Sequence, residues 1–465
     1  MDFPCQGQFW LPRFDDKPVF GTLTFSRREG AQLSLADSLP GSDGRREYET
    51  IQGQTASGAY VTLLHAIRTS EPLFALTPTR PCWYHATFLV IGAAFDGETD
   101  MRFSLWQLRI QELKWWVGRH GFAEISSSNI VADSEHPSRQ IIYHTPERQA
   151  LLRSECGLEI SLAFWPLFRV TPFLRTIRQD VCLELRLAGS DSLADFMTAS
   201  SRLEHFLTLA TGSLVRTGSI RAMVRTGEAD ALERPLMVDI LYEPIRNAPA
   251  RTPRRDEFLF SLDDIAGLEQ NCLGNWFSKA DWLDPVCALY FGTLYNPSKY
   301  LDFNFLALIQ ALEAYHRRAS DETDLPAAEH DARLQAIFEA APAGYREWLT
   351  EKLRYSNEIS LRRRLKRLFA QFFFLLDGLI PDRKATINAI YDNRNYLTHY
   401  DAKLSDRADR GSRLAYLVEV LKLLLQACFL RELGFADEKI REFVGRSRTV
   451  RMIRHLSQHA PGTAV

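Results

Sequence analysis

The residues best suited to chemistry lie in one run near the C-terminal end of the chain, Arg394-Asn395-Tyr396-Leu397-Thr398-His399. Arginine is always charged and histidine titrates near neutrality, so the two suit charge stabilisation and proton transfer at a phosphodiester. On a helix, Asn395 and His399 are i, i+4 neighbours, and Arg394 lies about 100° around the axis from Asn395. The three side chains would then point into roughly one volume.

A structural role fits the same spacing. Cations are favoured in the last turn of a helix because they complement its dipole. An arginine followed five positions later by a histidine also occurs elsewhere in the chain, at Arg80/His85, Arg139/His144 and Arg454/His459. Spacing alone therefore leaves catalysis and helix capping open. The distinguishing signal is its combination with Asn395, a helix end and an all-helical surrounding segment.

A helix must precede the run if these side chains are to converge. Ile387, Ile390 and Tyr391 form an apolar stripe at helical spacing, and the same face is predicted to continue as the polar and basic side chains of the run. The periodicity predicts helices over Ser261–Phe277, Pro285–Leu294, Phe303–Arg318, Ala327–Glu339, Tyr345–Tyr355, Ser360–Leu376, Asp382–His399 and Ser412–Leu433.

The first half of the chain is strand-like. Short runs rich in β-branched and aromatic residues, separated by turn-forming clusters, predict strands near Val19–Phe25, Tyr60–Ile67, Tyr84–Phe95, Met101–Leu108, Gln140–His144, Val181–Leu187, Ser219–Val224 and Leu236–Tyr242, with a helix at Ser192–Leu209. The predicted fold class is α+β. A β-rich, sandwich or barrel-like domain over 1–250 precedes an all-α helical bundle over 258–445, with a polar boundary at 245–257 and a basic, flexible tail over 446–465.

Composition narrows the function classes. The net charge is 56 − 58 = −2, yet residues 361–400 carry eight Arg or Lys against three Asp, which gives +5 locally. The seven cysteines are scattered and never form a CxxC pair, which argues against a disulfide framework and a structural zinc site. The longest apolar helical stretch, Leu414–Leu430, contains charged residues and predicts a buried bundle helix.

Several common sites are missing from the sequence. It contains no Walker loop, dinucleotide glycine fingerprint, HExxH or GxSxG motif, which removes the commonest hydrolase and nucleotide-cofactor interpretations. The N-terminus has no signal-peptide apolar region. We therefore expect a cytoplasmic protein with no cofactor, no metal and no membrane partner.

A basic helix over Ser360–Leu368 invites an RNA-binding interpretation. The favoured alternative is that its cations form the solvated face of an amphipathic helix whose leucines point inward. Counterion release could still add affinity for RNA. The tentative RNA-binding residues are Arg362, Arg363, Lys366 and Arg367.

Two separate parts of the chain resemble one known architecture. The opening Phe9-Trp10-Leu11-Pro12, followed by Val19–Phe25 and Leu33-Ser34-Leu35, resembles the N-terminal domain of ApeA-type proteins. The segment Phe305–Tyr315 and the run Arg394–His399 resemble the HEPN domain of the same proteins, whose signature is an arginine, a polar residue, a short spacer and a histidine. The family comprises bacterial anti-phage, abortive-infection proteins with a C-terminal HEPN ribonuclease.

The resemblance implies a metal-independent chemistry. In HEPN ribonucleases an RNA 2′-hydroxyl attacks the adjacent phosphorus and leaves a cyclic phosphate and a 5′-hydroxyl. His399 would move a proton, Arg394 would hold two phosphate oxygens, and Asn395 would orient the histidine or the phosphate. In the family two signatures meet across a two-fold axis, which implies a homodimer or higher homo-oligomer through the HEPN domain.

Glu313 is a further candidate implied by the family, in which an acidic residue near the signature arginine recurs. It would hold Arg394 in position, or it is a solvated residue that pairs with Arg317 at i+4. The expected partners are an RNA substrate, with tRNA one candidate, and a phage protein trigger at the N-terminal domain. The alternative function is a catalytically inactive HEPN protein that binds nucleotides or RNA, or a dimeric protein-interaction module.

Overall fold

The chain divides into two compact units in a computed structural model that describes residues 3–42, 44–70, 80–126, 139–189, 191–225, 235–243, 254–400 and 402–459. The first unit extends to Gly274. The second comprises Asp256–Leu259 and the residues from Asn275 onward. Most of the expected boundary at 245–257 lies outside the described residues.

The first unit is built from strands, as the short alternating runs predict. The strands are β1 (Cys5–Trp10), β2 (Val19–Ser26), β3 (Gly30–Leu35), β4 (Glu47–Thr55), β5 (Tyr60–Ser70), β6 (Cys82–Ile91), β7 (Phe103–Ile110), β8 (Phe122–Ser126), β9 (Arg139–Tyr143), β10 (Gln149–Arg153), β11 (Leu158–Val170), β12 (Arg175–Leu187), β13 (Thr217–Val224) and β14 (Met237–Tyr242). Two helices lie among them, α1 (Leu113–Val117) and α2 (Leu193–Thr211).

Six of these strands close into a barrel. They run in the order β6-β3-β2-β1-β4-β5, and β5 pairs with β6 as well as with β4. Closure removes strand edges that would otherwise be free to pair with other chains. The interior is filled by apolar side chains such as Phe9, Leu23, Leu33 and Leu63. The predicted β-rich, barrel-like domain is confirmed.

The other large sheet segment continues from β6 in the order β14-β13-β7-β12-β11-β10. Helix α2 covers it, with Phe196 stacked on Trp106 at a ring-centroid distance of 5.0 Å. Further along α2, Phe206 contacts Phe260, whose amide donates a hydrogen bond to the Ala210 carbonyl. These contacts belong to the first unit, which includes Phe260–Gly274, whereas Asp256–Leu259 belong to the second.

The helical half has the predicted all-α class. Its helices are α3 (Glu269–Ser278), α4 (Ala280–Tyr295), α5 (Leu301–Ala319), α6 (Ala327–Ala340), α7 (Arg346–Leu353), α8 (Leu361–Gln371), α9 (Phe373–Leu376), α10 (Arg383–His399), α11 (Gly411–Glu432), α12 (Asp437–Gly445) and α13 (Arg448–His459). The apolar helix α11 is buried along most of its length and packs against α5 and α13. None of the helices described is long and apolar enough to cross a membrane.

The C-terminal segment differs from the sequence prediction. Residues 446–465 were expected to form a flexible tail, but α13 occupies Arg448–His459 and buries Val450 and Ile453. The basic residues that suggested a tail lie on the outer side of an amphipathic helix, and its apolar side packs against α11. Residues 460–465 lie outside the described part of the chain.

Candidate active site

The Arg394–His399 run forms the last two turns of α10. The Asp382 carboxylate begins this helix by accepting a hydrogen bond from the Ala385 amide at 2.8 Å. The helix ends at Tyr400, which has a left-handed backbone with φ of 50°. His399 is therefore the last helical residue, where the chain turns away and leaves its side chain exposed.

The buried face of α10 does not continue into the signature residues as the sequence predicted. It runs from Ile387 and Ile390 through Asn393 and Leu397. These positions are three or four residues apart, so the 3.6-residue repeat keeps them on one face of the helix. Asn395 and His399 lie outside that face. Arg394 and Asn395 are consequently half-buried at the margin of the packed face, where they remain accessible to a ligand.

Helix α5 places Glu313 opposite Arg394. The Arg394 Nη2 and Glu313 Oε2 atoms are 3.9 Å apart, and both side chains are about one-third exposed or less. Arg317, the alternative partner of Glu313, instead pairs with Glu358 at 2.8 Å. The structure thus brings Glu313 and Arg394 together at ion-pair distance, although they are far apart in the sequence.

A buried polar pair joins α5, the helix that carries Glu313, to α8. His316 and Arg364 are each 6% exposed, and the Arg364 Nη1 atom is 3.4 Å from His316 Nδ1. Burial, reinforced by the positive charge of Arg364, lowers the pKa of His316 and keeps its imidazole neutral near pH 7. A neutral imidazole can accept a hydrogen bond from the guanidinium, so the pair fixes α5 against α8.

Most of the tentative RNA-binding cations on α8 already have intramolecular partners. Arg363 binds Glu322 at 2.8 Å and Asp324 at 2.9 Å, and Arg367 binds Glu322 at 2.8 Å. The pKa of the Glu322 carboxyl is lowered from its ordinary value, chiefly by the hydrogen bond that Arg367 donates to it. These contacts favour the interpretation of this face as a solvated, ion-paired surface.

Arg362 makes a longer ion pair than Arg363 and Arg367, with 4.0 Å between its Nη2 atom and Asp392 Oδ1. Arg362 lies over the ring of Tyr391 on α10, with 4.4 Å between the guanidinium carbon and the ring centroid. Lys366 is exposed. Since Tyr391 is one turn before Asn395, Arg362 is the α8 cation that contacts the signature helix itself.

Sequence reasoning missed a buried residue next to the signature arginine. Asn393 has no exposed surface, and it donates hydrogen bonds to the Ala389 carbonyl at 2.8 Å and to the Asp409 carboxylate at 3.2 Å. Its side-chain oxygen accepts a bond from the Asp409 amide at 2.9 Å. Arg413 also pairs with Asp409 at 2.8 Å. The only signal in the sequence was a polar residue at a core position of an amphipathic pattern.

The described residues contain no group of three or more His, Cys, Asp or Glu side chains placed to hold a metal ion. The four candidate residues, Arg394, Asn395, Glu313 and His399, offer one carboxylate, one amide and two basic side chains, of which Arg394 and Glu313 are in contact. Such a set can bind a phosphate group and exchange a proton.

Family comparison identifies both halves of the chain. A family model described as ApeA N-terminal domain 1 matches residues 4–276, and one described as Apea-like HEPN matches residues 306–439. These two domains in this order place the chain in the class of HEPN effectors. The chain belongs to the ApeA family, which is an anti-phage family with nuclease-type HEPN domains. Comparison with curated proteins and with solved structures finds no match.

Proposed function

We propose that this protein is an anti-phage effector whose helical unit is a metal-independent endoribonuclease. The observation that carries the proposal is the arrangement at the end of α10, where Arg394 is half-buried opposite Glu313 and His399 is exposed further along the helix. A positioned cation beside an accessible titratable group is what cleavage of a phosphodiester by its own 2′-hydroxyl requires.

The proposed reaction assigns one task to each side chain. The substrate 2′-hydroxyl attacks the adjacent phosphorus, the bond to the 5′-oxygen breaks, and a cyclic phosphate and a 5′-hydroxyl form. Arg394 stabilises the negative charge that develops on the phosphate oxygens. His399 moves a proton, since the attacking 2′-hydroxyl loses one and the leaving 5′-oxygen gains one. Asn395 orients the histidine or the phosphate, and Glu313 holds the guanidinium of Arg394.

The site is proposed to be completed by a second copy of the chain, because one copy supplies only one Arg394 and one His399. An excess of His399→Ala protein mixed with wild type is expected to lower cleavage more than dilution with buffer does, since most dimers then carry a defective half. The measurement is RNA cleavage after time for subunit exchange, with Lys384→Ala protein as the mixing control. Full activity at concentrations where sedimentation detects only monomer would contradict the composite site.

The first unit is proposed to control the nuclease and to take no part in its chemistry, with a phage product as the trigger. A fragment of residues 254–465, which keeps the Arg451 contacts to Asp256 and Glu257, is expected to cleave RNA faster than the resting full-length protein. Rates are compared with the same fragment carrying His399→Ala. A folded, dimeric fragment no faster than the full chain, with neither rate changed by phage infection, would rule out this regulatory role.

A further inference from the structure

The β11–β12 hairpin extends beyond the strands that flank it. Its register runs without interruption from the Leu158/Leu187 pair to the Val170/Arg175 pair. Strand β10 accompanies β11 only as far as Leu162, and β7 pairs with β12 only at Leu183–Leu185. Within the described sheet, the outer residues of the two strands therefore pair only with each other. We refer to residues 167–175 as the hairpin tip.

The hairpin tip is unusually apolar for an exposed segment. Phe173 is 100% exposed, and the exposed fractions of Phe168, Val170, Leu167 and Leu174 are 64%, 61%, 50% and 50%. A two-stranded hairpin is marginally stable by itself in water, and soluble proteins seldom expose contiguous apolar residues except where they bind something. The tip is thus a candidate interaction surface.

Charge restricts the chemistry of the partner. The tip carries Arg169 and Arg175, both exposed, and residues 167–175 contain no acidic side chain. Further from the apex, Arg178 pairs with Asp180 at 2.8 Å. An anionic partner is therefore favoured. A two-fold pairing of tips from two copies would instead bring like-charged arginines together.

Most backbone amides in the turn at the apex donate a hydrogen bond within the turn. The Thr171 amide donates to the Leu174 carbonyl at 2.8 Å, and the Leu174 amide donates to the Thr171 hydroxyl at 3.0 Å. Pro172 has no amide hydrogen. Two of the three amide hydrogens in this turn are thus bonded within it, which lowers the cost of moving the apex into an apolar medium.

We propose that the hairpin tip docks on the surface of an anionic lipid bilayer. Phe173 and Leu174 enter the boundary between headgroups and acyl chains, while Arg169 and Arg175 lie at the level of the lipid phosphates. A protein partner would need a preformed apolar pocket shaped to this convex apex, whereas a bilayer deforms around it. The proposal departs from the sequence-based expectation of no membrane partner, and it does not depend on ribonuclease activity.

Co-sedimentation of the full-length protein with lipid vesicles tests the proposal. Binding is expected to phosphatidylcholine vesicles that contain phosphatidylglycerol, and to be weak with phosphatidylcholine alone. The double variant Phe173→Ser/Leu174→Ser should bind at least about tenfold more weakly, because it removes the apolar side chains that insert. Arg169→Gln/Arg175→Gln should lose about fivefold for each arginine. All four side chains are exposed, so circular dichroism should be unchanged.

The matched control is Phe20→Ser, which removes a 66% exposed aromatic side chain from β2 of the same unit. It should bind the mixed vesicles like wild type. The proposal is overturned if wild type stays in the supernatant with mixed vesicles, or if Phe173→Ser/Leu174→Ser sediments as wild type does. It is also overturned if sedimentation velocity shows that the tip joins copies of the chain, that is, an oligomer dissociated by this variant, with no binding to lipid.

Discussion

Replacing His399 or Arg394 by alanine is expected to reduce RNA cleavage at least about a thousandfold, because the first change removes the proton-transfer group and the second removes the cation that stabilises the phosphate. Stability should change little. His399 is exposed at the helix end and Arg394 is half-buried, so the free energy of unfolding should fall by no more than about 1 kcal/mol. Cleavage of purified total RNA in EDTA, with urea unfolding of each variant, measures both effects.

Two further variants sharpen this test. Arg394→Lys keeps the charge but loses the bidentate contact, so it should remain poor. Lys384→Ala removes an exposed cation from the first turn of the same helix and should cleave like wild type. Near wild-type activity in either alanine variant would contradict the assignment, and so would cleavage that requires magnesium. Wild-type protein that forms dimers and binds RNA without cutting would instead favour the inactive, RNA-binding alternative.

Asn393→Asp is expected to have the second large effect. The new carboxylate cannot donate to the Ala389 carbonyl, and it would lie at hydrogen-bond distance from the carboxylate of Asp409 in a buried position. A buried like-charge contact with a lost donor should lower the free energy of unfolding by roughly 3 kcal/mol. Cleavage should fall as well, because the end of α10 that carries Arg394 is no longer fixed to the segment before α11.

The double variant Asn393→Asp/Asp409→Asn separates this role from a general loss of stability. Its amide at position 409 can donate to the carboxylate at 393, so at least half of the lost unfolding free energy should return, with part of the cleavage rate. The exchange also removes the Arg413 ion pair, which is half-exposed and contributes about 1 kcal/mol or less. Arg413→Gln measures that loss separately. A double variant no more stable than Asn393→Asp would show that the two side chains are not coupled.

The class of each half of the chain could be predicted because periodicity is a local property. In β6 every second side chain from Cys82 to Ala86 is buried, as strand alternation requires, and the spacing of Ile387 and Ile390 identifies a helix. The helix α13 was missed because its helical state depends on tertiary packing. Helix α13 carries enough arginine to resemble a tail, and its helical state depends on the burial of Val450 and Ile453.

The sequence by itself determined that an arginine, an asparagine and a histidine lie within two turns at the end of one helix, because 3.6 residues per turn fixes their relative directions. Only the tertiary structure decided which face of that helix is buried, that Asn393 is bonded to Asp409, and that Glu313 faces Arg394. It also decided that β5 closes the barrel on β6 and that the hairpin tip is left uncovered. Each of these depends on residues distant in sequence, which only the packing of whole helices and strands brings together.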